Sequence, residues 1–384
     1  AAEDYSGAET MIVEARDRLL ELAGSGDPTL FLPWLRLGNV RKRLTRYDEA
    51  QAALERALGL AEATGGPRSR RAGMAHVNLG ALARKRDDVE GATKHLELAE
   101  EIFRSSPDQD DALAPTLGHL AWVARERGDY GLARDRLEEA LDLRVALHGT
   151  AHPEVAGTHV SLGNVAWYQG DLPEARRRWE SALASFEAMG LRDTTKAVPS
   201  LNNVGLAAKT LGDLEAAEAS YRESLEICLR TLGPDHPLTG KTRIDLGRLA
   251  HERGEPRRAL EHLEEALRVF LTAHGEQHTG TAVALEGAAR AQMELGELET
   301  ARARLRRALA IHVKARGENH FHALRVRQAL GELHVRSGAW EDADRTLREA
   351  LAGAEKTLSP AHPVAIAARI GLARARWAQG DPLE

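Results

Sequence analysis

The sequence is poor in cysteine, in aromatic residues and in long apolar runs, and each shortage excludes a class of structure. Its 384 residues hold one cysteine, Cys228, so neither an intramolecular disulfide nor a cysteine-rich metal site can form. Aromatic residues, which strands favour, make up only 4% of the chain. No apolar run approaches the roughly 20 residues that span a bilayer. We therefore expect a soluble, all-α protein, and its cysteine usage fits a cytoplasmic location.

An excess of one charge is also lacking. Lysine and arginine number 52 against 58 aspartates and glutamates, which leaves a formal net charge of -6 with both signs interspersed along the chain. Such a balance gives no electrostatic reason to expect nucleic acid or an anionic membrane as a partner.

Against these shortages stands a repeat of 42 residues. Each unit places an alanine five residues after a glycine, then a large apolar residue four further on and a small one after three more, as in Ala175, Trp179 and Ala182. Spacings of four and three put these side chains on one face of a helix. The repeat is marked by seven glycines at constant intervals: Gly128, Gly170, Gly212, Gly254, Gly296, Gly338 and Gly380.

A second helix precedes each of these glycines. Its mark is a large residue followed by a small one, such as Leu162-Gly163, eight residues before the glycine. The glycine is usually followed by Asp or Glu, which predicts a left-handed helix stop and an acidic start to the next helix. Between units a histidine recurs, often before a proline that suits a first helical turn: His152, His236, His278, His320 and His362.

This pattern resembles the tetratricopeptide repeat. The repeat length and the joint Leu232-Gly233-Pro234-Asp235-His236-Pro237 resemble the kinesin light chain subtype, which is common in bacterial signalling proteins. The resemblance implies a right-handed superhelical α-α solenoid that fills residues 1–384. We count about eight full repeats over residues 31–358, a half repeat at 5–22 and a terminal helix at 364–380. The half repeats suggest a fragment of a larger protein or a partner to one.

Signatures of catalysis are missing from the sequence. It contains no Gly-rich phosphate loop, no Gly-x-Ser-x-Gly and no His-Glu-x-x-His motif, so we expect neither an enzyme nor a cofactor. Cys228 shares its repeat position with phenylalanines and is expected in the core. The histidine pairs 274/278 and 320/322 flank joints, where histidine serves as punctuation, so we expect no metal site.

The resemblance implies that ligands contact the first helix of each repeat. The residues of this chain at those first-helix positions are basic toward the N-terminal end. This favours an acidic or carboxylate-bearing protein or peptide segment as the partner. Asn164, Asn203 and Lys241 match three positions of a carboxylate clamp, although Val160 and Asp245 replace its other cations. The expected peptide-binding residues are Asn39, Asn78, Arg84, Lys85, Trp122, Arg125, Asn164, Trp167, Tyr168, Asn202, Asn203, Lys209, Lys241 and Arg248.

Two alternatives stay open for these residues. The asparagines could be tolerated polar groups on a wet helix face, and the binding face could be concave or convex. Trp34, Trp179 and Trp340 fall at core positions of the repeat, whereas Trp122, Trp167, Tyr168 and Trp377 fall on the first-helix face.

Three functions compete. The first is a scaffold that holds an extended segment of another protein in a concave groove. The second is a regulatory or sensor region for a kinase, a nucleotide-dependent switch or a caspase-like protease outside these residues. The third, ranked last, is a peptide-pheromone receptor, which usually carries an N-terminal domain that is not visible here.

Overall fold

The chain is helical throughout the part that the computed structural model describes, which comprises residues 5–105, 110–358 and 362–380. No strand occurs in those ranges. The helices fall into two compact units, unit 1 up to Gly190 and unit 2 from Leu191 onward. The expected all-α fold is confirmed.

Unit 1 contains nine helices among its described residues and a short 3-10 turn, Pro28–Leu30, that the repeat pattern did not predict. Its helices are α1 Tyr5–Ala23, α2 Phe31–Arg43, α3 Tyr47–Gly65, α4 Arg70–Lys85, α5 Val89–Arg104, α6 Asp110–Glu126, α7 Tyr130–His148, α8 Pro153–Gln169 and α9 Leu172–Ala188. The even-numbered helices α2 to α8 are first helices of repeats.

Unit 2 contains nine further helices among its described residues. They are α10 Val198–Thr210, α11 Leu214–Thr231, α12 Pro237–Glu252, α13 Pro256–His274, α14 Thr279–Glu294, α15 Leu298–Arg316, α16 Phe321–Arg336, α17 Trp340–Thr357 and α18 Pro363–Ala378. The first helices are again the even-numbered ones, α10 to α18. Helices α1 and α18 lie in the two terminal regions, 5–22 and 364–380, whose assignment as half repeats stays a prediction.

Each repeat is held together by a small residue on its first helix and a large one on its second. A Cβ added to Gly163 of α8 would lie 2.5 Å from Nε1 of Trp179 on α9, and one on Gly205 would lie 2.6 Å from the ring of Tyr221. Trp179 and Tyr221 are 2% and 1% exposed. Burying a large apolar side chain fully contributes about 1.5–3 kcal/mol. The small residue of the first helix and the large residue of the second helix, which recur in the sequence, therefore form one contact.

The turn inside each repeat needs a backbone with positive φ. Gly170 ends α8 with φ 81° and ψ 4°, and Asp171 then caps α9 by accepting a hydrogen bond from the amide of Glu174 at 3.1 Å. In the first two repeats Thr45 and Asp87 occupy the glycine position with φ 61° and 56°. Such a conformation is strained for residues with a Cβ.

Histidines cap the first helix at five joints. At each, Nδ1 accepts a hydrogen bond from the amide two residues further on, which satisfies one free donor of the helix start. The donor–acceptor distances at His236, His278, His320 and His362 are 3.0–3.2 Å. None of the described helices is long and apolar enough to cross a membrane.

Candidate functional site

The expected binding residues all lie on first helices, and they divide between the two units. Nine are on α2, α4, α6 and α8 of unit 1, from Asn39 to Tyr168, and five are on α10 and α12 of unit 2, from Asn202 to Arg248. Asn164 thus belongs to unit 1, whereas Asn203 and Lys241 belong to unit 2. The role of all fourteen as ligand contacts stays a prediction.

A pocket of about 300 Å³ joins four of the expected residues in unit 1. Arg84 comes from α4, Trp122 and Arg125 from α6, and Asn164 from α8. The remaining lining residues, which we include in the term unit 1 pocket, are Gly118, Ala121, Leu137, Ser161 and Val165. Three successive first helices therefore contribute cationic, aromatic and amide groups to one cavity.

Aromatic rings support the two arginines of this pocket. The Arg84 guanidinium lies 5.7 Å from the centre of the Trp122 ring, and that of Arg125 lies 5.8 Å from the Tyr168 ring. Tyr168, which is 57% exposed, stacks on Tyr130 at a centroid distance of 5.9 Å. Cation–π contacts hold a guanidinium in place and leave its N–H donors free for an anion.

Positive charges crowd around the unit 1 pocket. Burial and the charges of Arg43, Arg84 and Lys85 lower the pKa of Lys42 to about 8. Burial and the charge of Arg125 lower the pKa of Arg84. Among the described residues no carboxylate lies within 4 Å of the side-chain nitrogens of Arg84 or Lys42, and Arg125 pairs only with Glu126, at 2.5 Å. The pocket therefore holds cationic charge that the described part of the chain does not neutralise.

His119 is a neutral hydrogen-bond acceptor for Arg84, which lines this pocket. Its pKa is lowered to about 4 by burial and by the charges of Arg84, Lys42 and Arg144. Nδ1 accepts a hydrogen bond from an Arg84 guanidinium nitrogen at 3.2 Å. This contact orients Arg84 without neutralising it. His119 lies on α6 and Arg84 on α4, so their hydrogen bond depends on a contact between two helices that the sequence does not indicate.

The two earliest asparagines are already engaged within the chain. Asn39 accepts a hydrogen bond from Nζ of Lys42 at 2.9 Å. Asn78 donates from Nδ2 to the carbonyl of Met74, at 2.8 Å. Trp167 is half-buried and packs against Trp179, with ring centroids 5.9 Å apart. These three side chains offer a ligand less than Arg84, Trp122, Arg125 and Asn164 do.

A second pocket, of about 360 Å³, lies among α10, α12, α13, α14 and α16 in unit 2. We call it the unit 2 pocket, and it is lined by Lys209, Gly247, Arg248, His251, Glu252, Leu263, Glu286, Gly287, Arg290 and Arg325. Two of the expected residues, Lys209 and Arg248, belong to it. Its charges have both signs, unlike those of the unit 1 pocket.

Charged side chains that line the unit 2 pocket form ion pairs with one another. Glu286, 3% exposed, accepts hydrogen bonds from Arg325 at 2.6 and 2.8 Å and lies 3.3 Å from Nε of Arg290. Burial acts to raise the pKa of Glu286, but the charges of Arg325 and Arg290 outweigh it and hold that pKa below its usual range. Lys209 pairs with Glu252. The cations of this pocket thus have carboxylate partners inside the chain.

Three expected residues of unit 2 differ in their accessibility. Asn202 is 4% exposed and donates to the Thr242 hydroxyl at 3.3 Å, so its side chain faces the interior and we leave it out of the proposed site. Asn203 is half-buried on the same helix, and Lys241 is exposed on α12. Neighbouring asparagines on a helix point about 100° apart, which explains why only one of this pair can face outward.

Cys228 and three of the remaining tryptophans lie wholly or partly in the interior, and one tryptophan is exposed. Cys228 is fully buried, and burial raises the pKa of its thiol, which disfavours the nucleophilic thiolate. Trp179 is buried, and Trp34 and Trp340 pack half-buried against core clusters. Trp377 is 75% exposed on α18. These placements agree with the positions that the repeat register assigned to them.

Comparison with protein families finds one family along most of the chain. A model described as tetratricopeptide repeat matches residues 29–105, 71–144, 112–188, 197–272, 259–312 and 280–356, and a second model of that description matches 366–382. The kinesin light chain-related proteins 3 and 2 of Arabidopsis thaliana are 25% and 23% identical over 208 and 205 residues, 53% of this chain. The matched part spans about a third, 31%, of each of those proteins.

Solved structures share the fold at low sequence identity. BtubC (BKLC) from P. vanneervenii has a TM-score of 0.53 and 24% identity, over 60% of this chain and 92% of that one. RapI in its apo form has a TM-score of 0.64 and 12% identity, over 92% and 100%. The STAND protein PH0952 from Pyrococcus horikoshii, with a tetratricopeptide repeat sensor, has a TM-score of 0.61 and 16% identity, over 93% and 53%.

Proposed function

Because the chain belongs to the tetratricopeptide repeat family, we propose that it is a protein-interaction scaffold that binds an extended, carboxylate-bearing segment of another protein. The segment lies along first helices, with an acidic group in the unit 1 pocket. The observation that carries this proposal is the cationic charge of Arg84, Lys42 and Arg125, which has too few carboxylate partners among the described residues.

An anionic ligand would relieve a cost that the free pocket bears. Partly buried like charges repel one another and lose hydration, and a bound carboxylate offsets both effects. Arginine also offers paired N–H donors that match the two oxygens of a carboxylate. The chemistry of Arg84 and Arg125 therefore fits an aspartate, glutamate or chain-terminal carboxylate better than a neutral group.

Two further side chains would give the segment its remaining contacts. The Asn164 amide can donate to and accept from a peptide backbone without demanding a particular sequence. Trp122 supplies an apolar ring in the wall of the pocket, beside Arg84. In unit 2, Asn203 and Lys241 are proposed as contacts that this unit makes by itself with a partner protein. Binding of this kind involves no covalent chemistry, so we propose a non-catalytic role.

A peptide-binding measurement tests the proposal directly. A short fluorescent glutamate-rich peptide should bind the full chain, and a lysine-rich counterpart should bind more weakly. The double variant Arg84→Gln and Arg125→Gln should weaken binding by about tenfold or more, because two charge-assisted hydrogen bonds are lost. Fluorescence anisotropy would report both affinities.

The unit 2 pocket supplies a matched control. Arg290→Gln removes an arginine that already has Glu286 as its partner, so it should change peptide affinity by less than about twofold. Equal weakening by Arg290→Gln, or equal binding of the lysine-rich peptide, would contradict the proposal. Circular dichroism would establish that each variant keeps its helix content.

A regulatory role is the second candidate function. It is favoured by the likeness in fold to PH0952, a STAND protein with a tetratricopeptide repeat sensor. The match covers 53% of the PH0952 chain. Capture of partners from the native cell by the natural protein tests it. A kinase, nucleotide-dependent switch or caspase-like protease recovered with wild type and lost with the Arg84/Arg125 variant would support this role.

The peptide-pheromone receptor is the third candidate. The Rap protein solved in complex with Competence and Sporulation Factor has a TM-score of 0.57 at 11% identity, a likeness that concerns fold only. We rank this candidate last because nothing in the two pockets favours it over the scaffold.

A further inference from the structure

Three side chains of the kinds that bind metals meet at the joint between α7 and α8. His148 is the last residue of α7, His152 is the N-cap of α8, and Glu154 lies in the first turn of α8. One ligand atom from each residue lies within 4.8 Å of the others. The two imidazole rings stack with centroids 4.1 Å apart. Elsewhere in the described ranges, no other trio of this kind is brought together.

The repeat itself shows that this trio exceeds what a joint needs. One histidine is enough to cap the following helix, as His236 does with Leu232 and Leu238 at the positions of His148 and Glu154. The joint between α13 and α14 has the pair His274 and His278, with rings 4.3 Å apart, but Gly280 stands at the position of Glu154. His148 and Glu154 therefore have no role in the common joint architecture.

His152 is also the least committed of the capping histidines. Its Nδ1 lies 3.3 Å from the amide of Glu154, longer than the 3.0–3.2 Å at the other four joints. Its φ is -139°, whereas His236, His278, His320 and His362 have φ between -79° and -65°. A ring that turns to bind an ion therefore breaks a longer hydrogen bond at this joint than at the other four.

We propose that His148, His152 and Glu154 bind a divalent transition-metal ion of the zinc type. Two imidazoles and one carboxylate are a donor set that zinc favours, and a water or a group from a partner would complete four-coordination. The site is independent of the pockets and would stabilise the joint by tying the end of α7 to the start of α8.

Two features of the joint limit its affinity. Nε of Arg144 lies 3.3 Å from Oε2 of Glu154 and competes with the ion for that carboxylate. The three ligand atoms lie within 4.8 Å of one another. They must approach to roughly 3.4 Å, the separation of neighbouring ligands around tetrahedral zinc. His148 and Glu154 are exposed, so their side chains are free to make this movement. Binding is therefore weaker than at a preformed structural zinc site.

Titration calorimetry of the untagged full chain with zinc chloride tests the site. Wild type should bind one ion at this joint. His148→Ala and Glu154→Gln should each weaken that binding by about tenfold or more. His152 stays unchanged in the test because its loss would also remove the cap of α8. Zinc should raise the melting temperature of wild type and leave that of both variants unmoved, since only a ligand of the native state stabilises it.

His274→Ala is the matched control. It breaks the histidine pair at the joint that has no carboxylate, and zinc binding should stay within about twofold of wild type. Unchanged zinc affinity in His148→Ala would overturn the proposal. So would an equal loss in His274→Ala, which would mark zinc binding as a general property of paired surface imidazoles.

Discussion

The unit 1 pocket and the unit 2 pocket are built from the same part of the repeat and are similar in size, about 300 and 360 Å³, but they treat charge in opposite ways. In unit 2, Glu286 is held between Arg325 and Arg290 and neutralises them from within. In unit 1, Arg84 and Lys42 have no carboxylate partner in the described ranges, and burial together with the charges of their neighbours lowers their pKa values. A pocket satisfied by its own chain favours stability, whereas an unsatisfied one favours a ligand.

The largest expected effect comes from making the unit 2 pocket resemble the unit 1 pocket. Glu286→Gln removes the buried carboxylate and strands Arg325 and Arg290, which should lower the free energy of unfolding by about 3 kcal/mol. The same variant should bind the glutamate-rich peptide more tightly than wild type does. Urea denaturation and fluorescence anisotropy would measure the two changes. Unchanged stability and unchanged peptide affinity in this variant would contradict the proposed difference in charge between the two pockets.

Asparagine substitutions should have a smaller effect on peptide affinity, and the effect should differ between the two units. Asn164→Ala and Asn203→Ala together should weaken peptide binding by roughly tenfold, since a buried amide contact contributes about 1 kcal/mol and more when its loss strands a partner group. Asn164→Ala alone should account for most of this effect, because Asn164 lies in the unit 1 pocket. Wild-type affinity in the double variant would remove the amide contacts from the proposal.

The pH dependence of peptide binding should come from unit 1. Lys42, with a pKa lowered to about 8, loses its proton as pH rises through 8, so affinity for the glutamate-rich peptide should fall roughly threefold between pH 7 and pH 9. The same deprotonation changes the stability of the peptide-free protein in the opposite direction. The unfolded chain keeps this proton up to about pH 10.4, so the contribution of Lys42 to stability rises with pH between these values.

Lys42→Met would isolate that titration. It should flatten the pH profile of peptide affinity and remove the corresponding rise in unfolding free energy. Arg290→Gln, in the unit 2 pocket, should leave both profiles as they are in wild type. A profile that keeps its slope in Lys42→Met would assign the titration to another group.

The smallest expected effect is at Cys228 in the core of unit 2. Cys228→Ala should lower the free energy of unfolding by about 1 kcal/mol through a small cavity and should not change peptide binding. Denaturation and anisotropy on the same sample would check both statements. Loss of binding without loss of stability would contradict the placement of Cys228 as a core residue.

The sequence predicts the fold in detail because the register positions are local rules. Gly163 and Trp179 mark one tight helix contact, and Gly170 marks one turn, so reading such positions along the chain gives the helices. The 3-10 turn at Pro28–Leu30 and the positive φ of Thr45 and Asp87 have no such mark. The 3-10 turn instead has a local cap outside the repeat register, since Asp27 accepts a hydrogen bond from the amide of Thr29.

The candidate site is predictable only in part. Its residues could be assigned to first helices, but the pairing of Glu286 with Arg325 depends on two side chains 39 residues apart that meet across α14 and α16. The inward turn of Asn202 likewise depends on the hydroxyl of Thr242 on another helix. Charge composition alone therefore could not show that one pocket neutralises itself and the other does not.

The close packing of each second helix against its own first helix also bears on synthesis. Within each unit a repeat finds its contacts among residues close to it in the chain, as Trp179 does with Gly163 sixteen positions earlier. Such short-range contacts cost little loop entropy and form early. A nascent chain could thus bury each pair of helices as it leaves the ribosome, before the C-terminal repeats have been translated.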